Sequence, residues 1–185
     1  MSPGSPALAL IELESIARGI VTLDALTKRA IVRVLLSEAV SPGKFLILFA
    51  GREGDVEEAF LAAKAAAADR LLDTLHLPDA HPGLVPLVGG ERAPLSEETA
   101  LSVQEFSSVA AALRALDRVL KETNARAHKL HIARGIGGKA YFVVSGTLAD
   151  VEAAAAAGAA AVPAAQRVQS EIIARLSPDV RLEHL

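Results

Sequence analysis

Pro42-Gly43-Lys44-Phe45-Leu46-Ile47-Leu48-Phe49-Ala50-Gly51 returns as Gly137-Gly138-Lys139-Ala140-Tyr141-Phe142-Val143-Val144-Ser145-Gly146, 95 residues further along the chain. Each stretch is a Gly-Lys turn, an apolar run and a closing glycine. An apolar run of that length reads as a strand covered on both faces. Its recurrence makes the chain a tandem duplication of one small domain. Downstream, Asp55-Val56-Glu57 meets Asp150-Val151-Glu152 at the same shift. Upstream, Asp24 to Lys28 returns as Asp117 to Lys121, but 93 residues on. The second copy has therefore gained two residues before its glycine turn.

The register extends further back. Glu12 has its counterpart in Glu105, and Ile16, Ile20, Leu23 and Leu26 have theirs in Val109, Leu113, Leu116 and Val119. Steps of four and three draw one apolar stripe along an amphipathic helix, expected to face the core in both copies. Ser15, and Ser107 or Ser108, are placed to cap these helices.

Each copy thus reads β-α-β-β-α-β. The first strands are expected at residues 7–13 and 100–106, the second at 31–36 and 126–133, and the fourth at 71–77 and 168–174. The Gly-Lys turns make hairpins of strands two and three. The second helices start near Glu53 and Thr147-Leu148. Residues 153–165, nearly all alanine, read as a helix laid closely on its sheet, ended by Pro163. The expected organisation is a loose tail at 1–6, a first domain at 7–80, a proline-rich linker at 81–98 with room for one short helical turn, and a second domain at 99–185.

Composition narrows the function. The chain has 185 residues, 51% of them hydrophobic, a net charge of −3 and only 3% aromatic residues. No basic field or aromatic platform invites nucleic acid or an anionic membrane. No apolar run approaches the roughly 20 residues of a membrane span, and the start lacks a signal peptide's pattern. A soluble, cytoplasmic protein is expected. Cysteine is absent, which excludes thiolate nucleophiles, disulfides and Cys-held metal centres.

Glu12-Leu-Glu-Ser-Ile-Ala-Arg-Gly19, Asp24-Ala-Leu-Thr-Lys28, Ser41-Pro-Gly-Lys-Phe45, His81-Pro82 and Gly135-Ile-Gly-Gly-Lys139 together resemble the tandem-domain shell proteins of bacterial microcompartments (BMCs). The nearest type is the trimeric shell protein of propanediol-utilisation compartments. The resemblance implies an α/β (α+β) chain of two ferredoxin-like domains, each a mainly antiparallel four-stranded sheet flanked by helices. It implies a homotrimer of six similar domains that tiles edge to edge with other shell proteins around enzymes. It also implies a central pore for small polar metabolites, lined by the turn Ser41, Pro42, Gly43 and Lys44. The second-domain loop Gly135, Ile136, Gly137, Gly138 and Lys139 would match that turn, and Lys28 and Lys121 would lie at the tile edge. In the propanediol type a cysteine at the position of Ser41 holds an iron–sulfur cluster. Serine is a poor ligand for such a cluster, so no cofactor is expected.

Local readings stand beside these. Ser41-Pro-Gly-Lys is also an ordinary turn, and Asp24–Lys28 and Asp117–Lys121 are also i,i+4 pairs. Gly135 to Lys139 is not a phosphate loop, because Ala133 stands six residues before the lysine and Ala140 follows it. His128 and His131 are expected on opposite faces of a strand, unable to share a metal. The histidines, His76 and His184 included, read as surface or core residues, and His81-Pro82 lies in the linker without an evident partner. No triad order, metal spacing or cysteine supports an enzyme, and duplication alone explains the paired Glu12 and Glu105. The leading expectation is a shell tile. The alternative is a soluble ferredoxin-like trimer that binds a small regulatory molecule.

Overall fold

The fold is that of a computed structural model, which describes residues 6–92 and 100–177. Both halves run β-α-β-β-α-β. The first comprises β1 (Ala7–Leu13), α1 (Ile16–Arg29), β2 (Arg33–Val40), β3 (Lys44–Gly51), α2 (Glu53–Ala67) and β4 (Leu71–Leu77). The short helix α3 (Leu84–Val88) follows. The second half comprises β5 (Ala100–Phe106), α4 (Val109–Glu122), β6 (Arg126–Ile132), β7 (Ala140–Gly146), α5 (Leu148–Ala160) and β8 (Arg167–Ile173). Each half forms one antiparallel sheet, ordered β2-β3-β1-β4 and β6-β7-β5-β8.

Local chemistry explains the helix starts. Ser15 and Ser108 accept the Arg18 and Ala111 amides three residues on, and Thr147 forms a reciprocal capping box with Asp150. Strand β2 runs later than its apolar residues suggest, because Ser37, Glu38 and Ala39 keep pairing with β3 down to Val40–Lys44. Ile31, expected in the strand, precedes it and is exposed. Close packing is set by missing side chains. A Cβ on Gly19 would lie 2.3 Å from the Phe45 ring, and one on Gly158 would lie 2.0 Å from Gln104 Oε1.

The two copies differ in what their first helices bury. In α4, Val109, Leu113, Leu116 and Val119 are all fully buried. In α1, only Leu26 of the corresponding four is buried, Leu23 is partly covered, and Ile16 and Ile20 are 43% and 57% exposed. The expected core stripe therefore holds in the second copy and fails in the first. The reason is tertiary. Helix α1 meets its own sheet through Gly19, Thr22 and Leu26, whereas α4 lies between its own sheet and strands β1 and β4 of the first domain. One apolar cluster consequently joins Leu8, Leu10, Leu46, Leu48 and Leu75 of the first sheet to α4, while a smaller cluster lies beneath α1 and α2.

Replacing Gly19 with Ala adds a methyl inside the Phe45 ring position. Ala is better than Gly in a helix by about 1 kcal/mol, but overpacking a filled core costs about 1–3 kcal/mol. G19A is therefore expected to lower stability by about 1 kcal/mol, read as a lower urea midpoint at unchanged slope; an equal or higher midpoint contradicts this packing.

Candidate functional site

The two domains of the chain meet where the amino end of α4 approaches the outer face of the first sheet. Glu12 is fully buried on β1, and its Oε1 accepts the Ala110 amide at 2.7 Å. Asp73, beside it on β4, accepts from the Ser108 hydroxyl at 2.7 Å and from Gln166 Nε2 at 3.1 Å. Two carboxylates thus face the positive end of a helix dipole, where its first amides lack intrahelical partners. Further along α4, Arg114 donates to the Thr74 carbonyl at 3.0 Å, and buried Asp117 accepts the His81 amide at 2.7 Å. Lys121 pairs with Asp117 at 2.7 Å and donates to the Asp79 carbonyl.

The hairpin turns of the two domains also touch. A Cβ on Gly138 would come within 3.1 Å of both the Lys44 side chain and the Ser41 carbonyl. Gly138 has φ +78°, so both its backbone and its surroundings require glycine there. Arg134 grips Glu38 with two hydrogen bonds of 2.8 and 2.7 Å, a bidentate arrangement that fixes orientation. Ser41, Pro42 and Gly43 stay exposed at the tip. Sequence reasoning overlooked Arg134 and Glu38; the signal was the two-residue insertion, which lengthens the second turn enough to reach the first domain.

The two turn lysines lean back on equivalent partners. Lys44 Nζ lies 3.7 Å from Glu12 Oε2, and Lys139 Nζ lies 2.9 Å from Glu105 Oε1. Lys28 and Lys121, expected to be alike, are not. Lys28 is exposed and pairs with Asp24 on its own helix, whereas Lys121 is tied into the domain junction. His128 is buried against Ser145 and His131 stacks on Tyr141, so the two histidines serve different partners. The His81 ring accepts the Gly83 amide, and His184 lies outside the described residues. Among the described residues no group of three His, Asp or Glu side chains could hold a metal ion, and no helix is long and apolar enough to cross a membrane.

The BMC domain family matches residues 7–80 and again 100–176. The chain belongs to the BMC-domain family of bacterial microcompartment shell proteins. It is 40% identical over 147 residues to the bacterial microcompartment shell protein PduT of Citrobacter freundii, covering 80% of this chain and 79% of that one. It is also similar to the crystal structure of a microcompartment protein from Desulfitobacterium hafniense, with TM-score 0.85, 32% identity, and coverage of 94% of this chain and 97% of that one. A fused permuted hexameric shell protein of the RMM microcompartment shares the fold at TM-score 0.62 and 23% identity, over 84% and 80% of the two chains. These relatives are microcompartment proteins, and they lend no support to the ligand-binding regulator. The shell-protein reading, the α+β fold and the two BMC domains stand. An iron–sulfur cluster at the turn does not fit this shell protein's residues, because the chain contains no thiolate to hold one.

The junction makes Glu12 sensitive to pH. Burial, the largest influence, holds its carboxyl above the ordinary 4.5, against the Ala110 amide and the Lys44 charge, which act to lower it. A proton is therefore bound more tightly in the folded chain than in the unfolded one. The resulting stability is fully present below the ordinary value and is lost as pH rises through the raised native value. Glu12→Gln does not titrate. The stability of E12Q relative to the wild type is expected to rise between acid and neutral pH, measured by urea unfolding at several pH values; a flat or falling difference contradicts it.

Proposed function

We propose that three copies of this shell protein close into a flat ring of six BMC domains, a non-enzymatic tile that packs edge to edge with other shell proteins and leaves a narrow central opening. One observation carries the reading. The surface by which α4 docks on the first domain has an uncovered counterpart on α1, and the edge strand β4 that receives α4 has an exposed counterpart in β8 of the second domain.

Val109, Ala110, Leu113 and Asp117 of α4 are buried, whereas Ile16, Ala17, Ile20 and Asp24 at the matching places of α1 are exposed. Strand β4, which lies under α4, is mostly covered, whereas β8 is exposed over six of its seven residues. Repeating the internal contact between chains is a heterologous interface, which builds a closed ring when the rotation closes. Three chains then satisfy six domain junctions, as the shell-protein resemblance implies. In that ring the Ser41-Pro42-Gly43-Lys44 turns would alternate around the axis with the Gly135 to Lys139 loops. The contact of Gly138 with Lys44 and Ser41 inside one chain supports this alternation. Ser41 would present a hydroxyl to the opening, suited to small polar metabolites. The two lysines are held by Glu12 and Glu105, and Arg134 by Glu38, which supports a rim of compensated charges.

The chain has no cysteine, so engineered thiols report only the contact they test. Ser15 corresponds to Ser108, and Gln169 to Asp73, since Glu12 pairs with Asp73 and Glu105 with Gln169 across their sheets. Oxidised S15C/Q169C is expected to give a covalent ladder that ends at three chains on denaturing gels. Absence of cross-linked chains, or a ladder running past three, overturns the ring.

At the outer edge, Lys28 is the exposed member of the lysine pair. K28A is expected to leave the trimer intact and to impair sheet formation seen by electron microscopy. K121A, which removes the Asp79 and Asp117 contacts, is expected to lower stability by about 1 kcal/mol. Undiminished sheets from K28A contradict the edge role.

A further inference from the structure

The uncovered α1 face has a chemical address as well as an apolar one. Inside the chain, the contact that seats α4 is the Glu12 carboxylate on the Ala110 amide at 2.7 Å, with Lys44 behind it at 3.7 Å. Each of these three residues has a repeat. Glu105 stands on β5 where Glu12 stands on β1, with Glu105 opposite Tyr141 as Glu12 is opposite Leu46. Lys139 repeats Lys44, and Ala17 repeats Ala110. The repeats are not in the same state. The Glu105 side chain is 34% exposed and bonds Lys139 directly at 2.9 Å, whereas Glu12 is wholly buried and its lysine stands farther off. In α1, Ser15 takes the Arg18 amide with its hydroxyl and the Gly19 amide with its carbonyl. The earlier amides of the first turn, Ile16 and Ala17, have no intrahelical acceptor by geometry.

We propose that Glu105 is the intersubunit clamp of this protein. On assembly its carboxylate loosens from Lys139 and accepts the Ala17 amide at the amino end of α1 in a second copy of the chain. The inference rests on the ring described above and names the residue that locks it. The occupant is fixed by complementarity. The site on α1 offers backbone N–H groups and a positive helix end, rimmed by Ile16, Ile20 and Val21, all exposed. What fits is a carboxylate set on an apolar sheet face. The second domain carries one, with Val103 and Val143 beside Glu105 on the same sheet. The internal junction shows that this pairing is stereochemically available to this sequence. Lys139 acts as a resident partner that holds the Glu105 carboxylate until α1 arrives, then remains as a nearby counter-charge, as Lys44 does for Glu12.

The test uses the full chain and sedimentation across a concentration series. E105A is expected to weaken trimer association at least about tenfold, because a buried charge-assisted hydrogen bond is lost at each of the new junctions. E105Q keeps an accepting oxygen without the charge and should fall between E105A and the wild type. Glu105 is partly exposed in the single chain, so both variants should keep the wild-type circular dichroism spectrum. K139A separates the clamp from the local ion pair: it should weaken association far less than E105A. A wild-type trimer whose concentration dependence is unchanged in E105A overturns the clamp and leaves the ring standing. K139A weakening association as much as E105A also overturns the clamp. A wild-type chain that stays monomeric overturns the ring and the clamp together.

Discussion

Two carboxylates set against the amino end of α4 decide how this chain is arranged. Glu12 and Asp73 are adjacent on β1 and β4, and they engage Ala110 and Ser108. A buried carboxylate is costly unless hydrogen bonds and opposite charge compensate it. Here the compensation comes from the other domain's helix. The domains are therefore not free to settle at an arbitrary angle: a small displacement would strand Glu12 in an apolar cluster containing Leu8, Leu10, Leu46, Leu48 and Leu75. Apolar area supplies cohesion between the halves, and the carboxylates supply the register.

The same arrangement explains why two nearly identical sequences bury different residues. Val109 and Leu113 are core because a sheet lies on each side of α4. Ile16 and Ile20 hold the same helical positions and are exposed because, among the described residues, no second sheet lies on α1. Duplication within one chain satisfies one such junction and leaves half of the next at each end. In the proposed ring the uncovered halves pair with one another across chains, a heterologous contact.

The hairpins carry the second point of contact. The two-residue insertion makes the second-domain turn longer, so that Arg134 can cross to Glu38 and Gly138 can lie against Ser41 and Lys44. Identical turns would have met symmetrically. Unequal turns let one copy brace the other, while the short Ser41 turn remains exposed. The exposed tip of that turn offers the Ser41 hydroxyl and backbone groups.

Much was legible in the sequence because it rests on local rules. Glycine–lysine turns before apolar runs, serines placed to cap helices, and a repeat at shifts of 93 and 95 residues gave the element order, the duplication and the shell-protein resemblance. The strands at Ala7–Leu13, Ala100–Phe106 and Leu71–Leu77 lie where alternation and turn residues put them. What only the tertiary structure decided is which face of a helix counts as inside. Periodicity marks an apolar stripe but cannot say whether a sheet covers it, so Ile16 and Ile20 read as core and are not. Nor could spacing tell Lys28 from Lys121, or Glu12 from Glu105. Each pair is equivalent in sequence, and the members differ because a segment of the other domain reaches one and not the other. Burial and ionic partnership are set by the docking of distant segments, and that docking is a property of the folded chain rather than of any local run of residues.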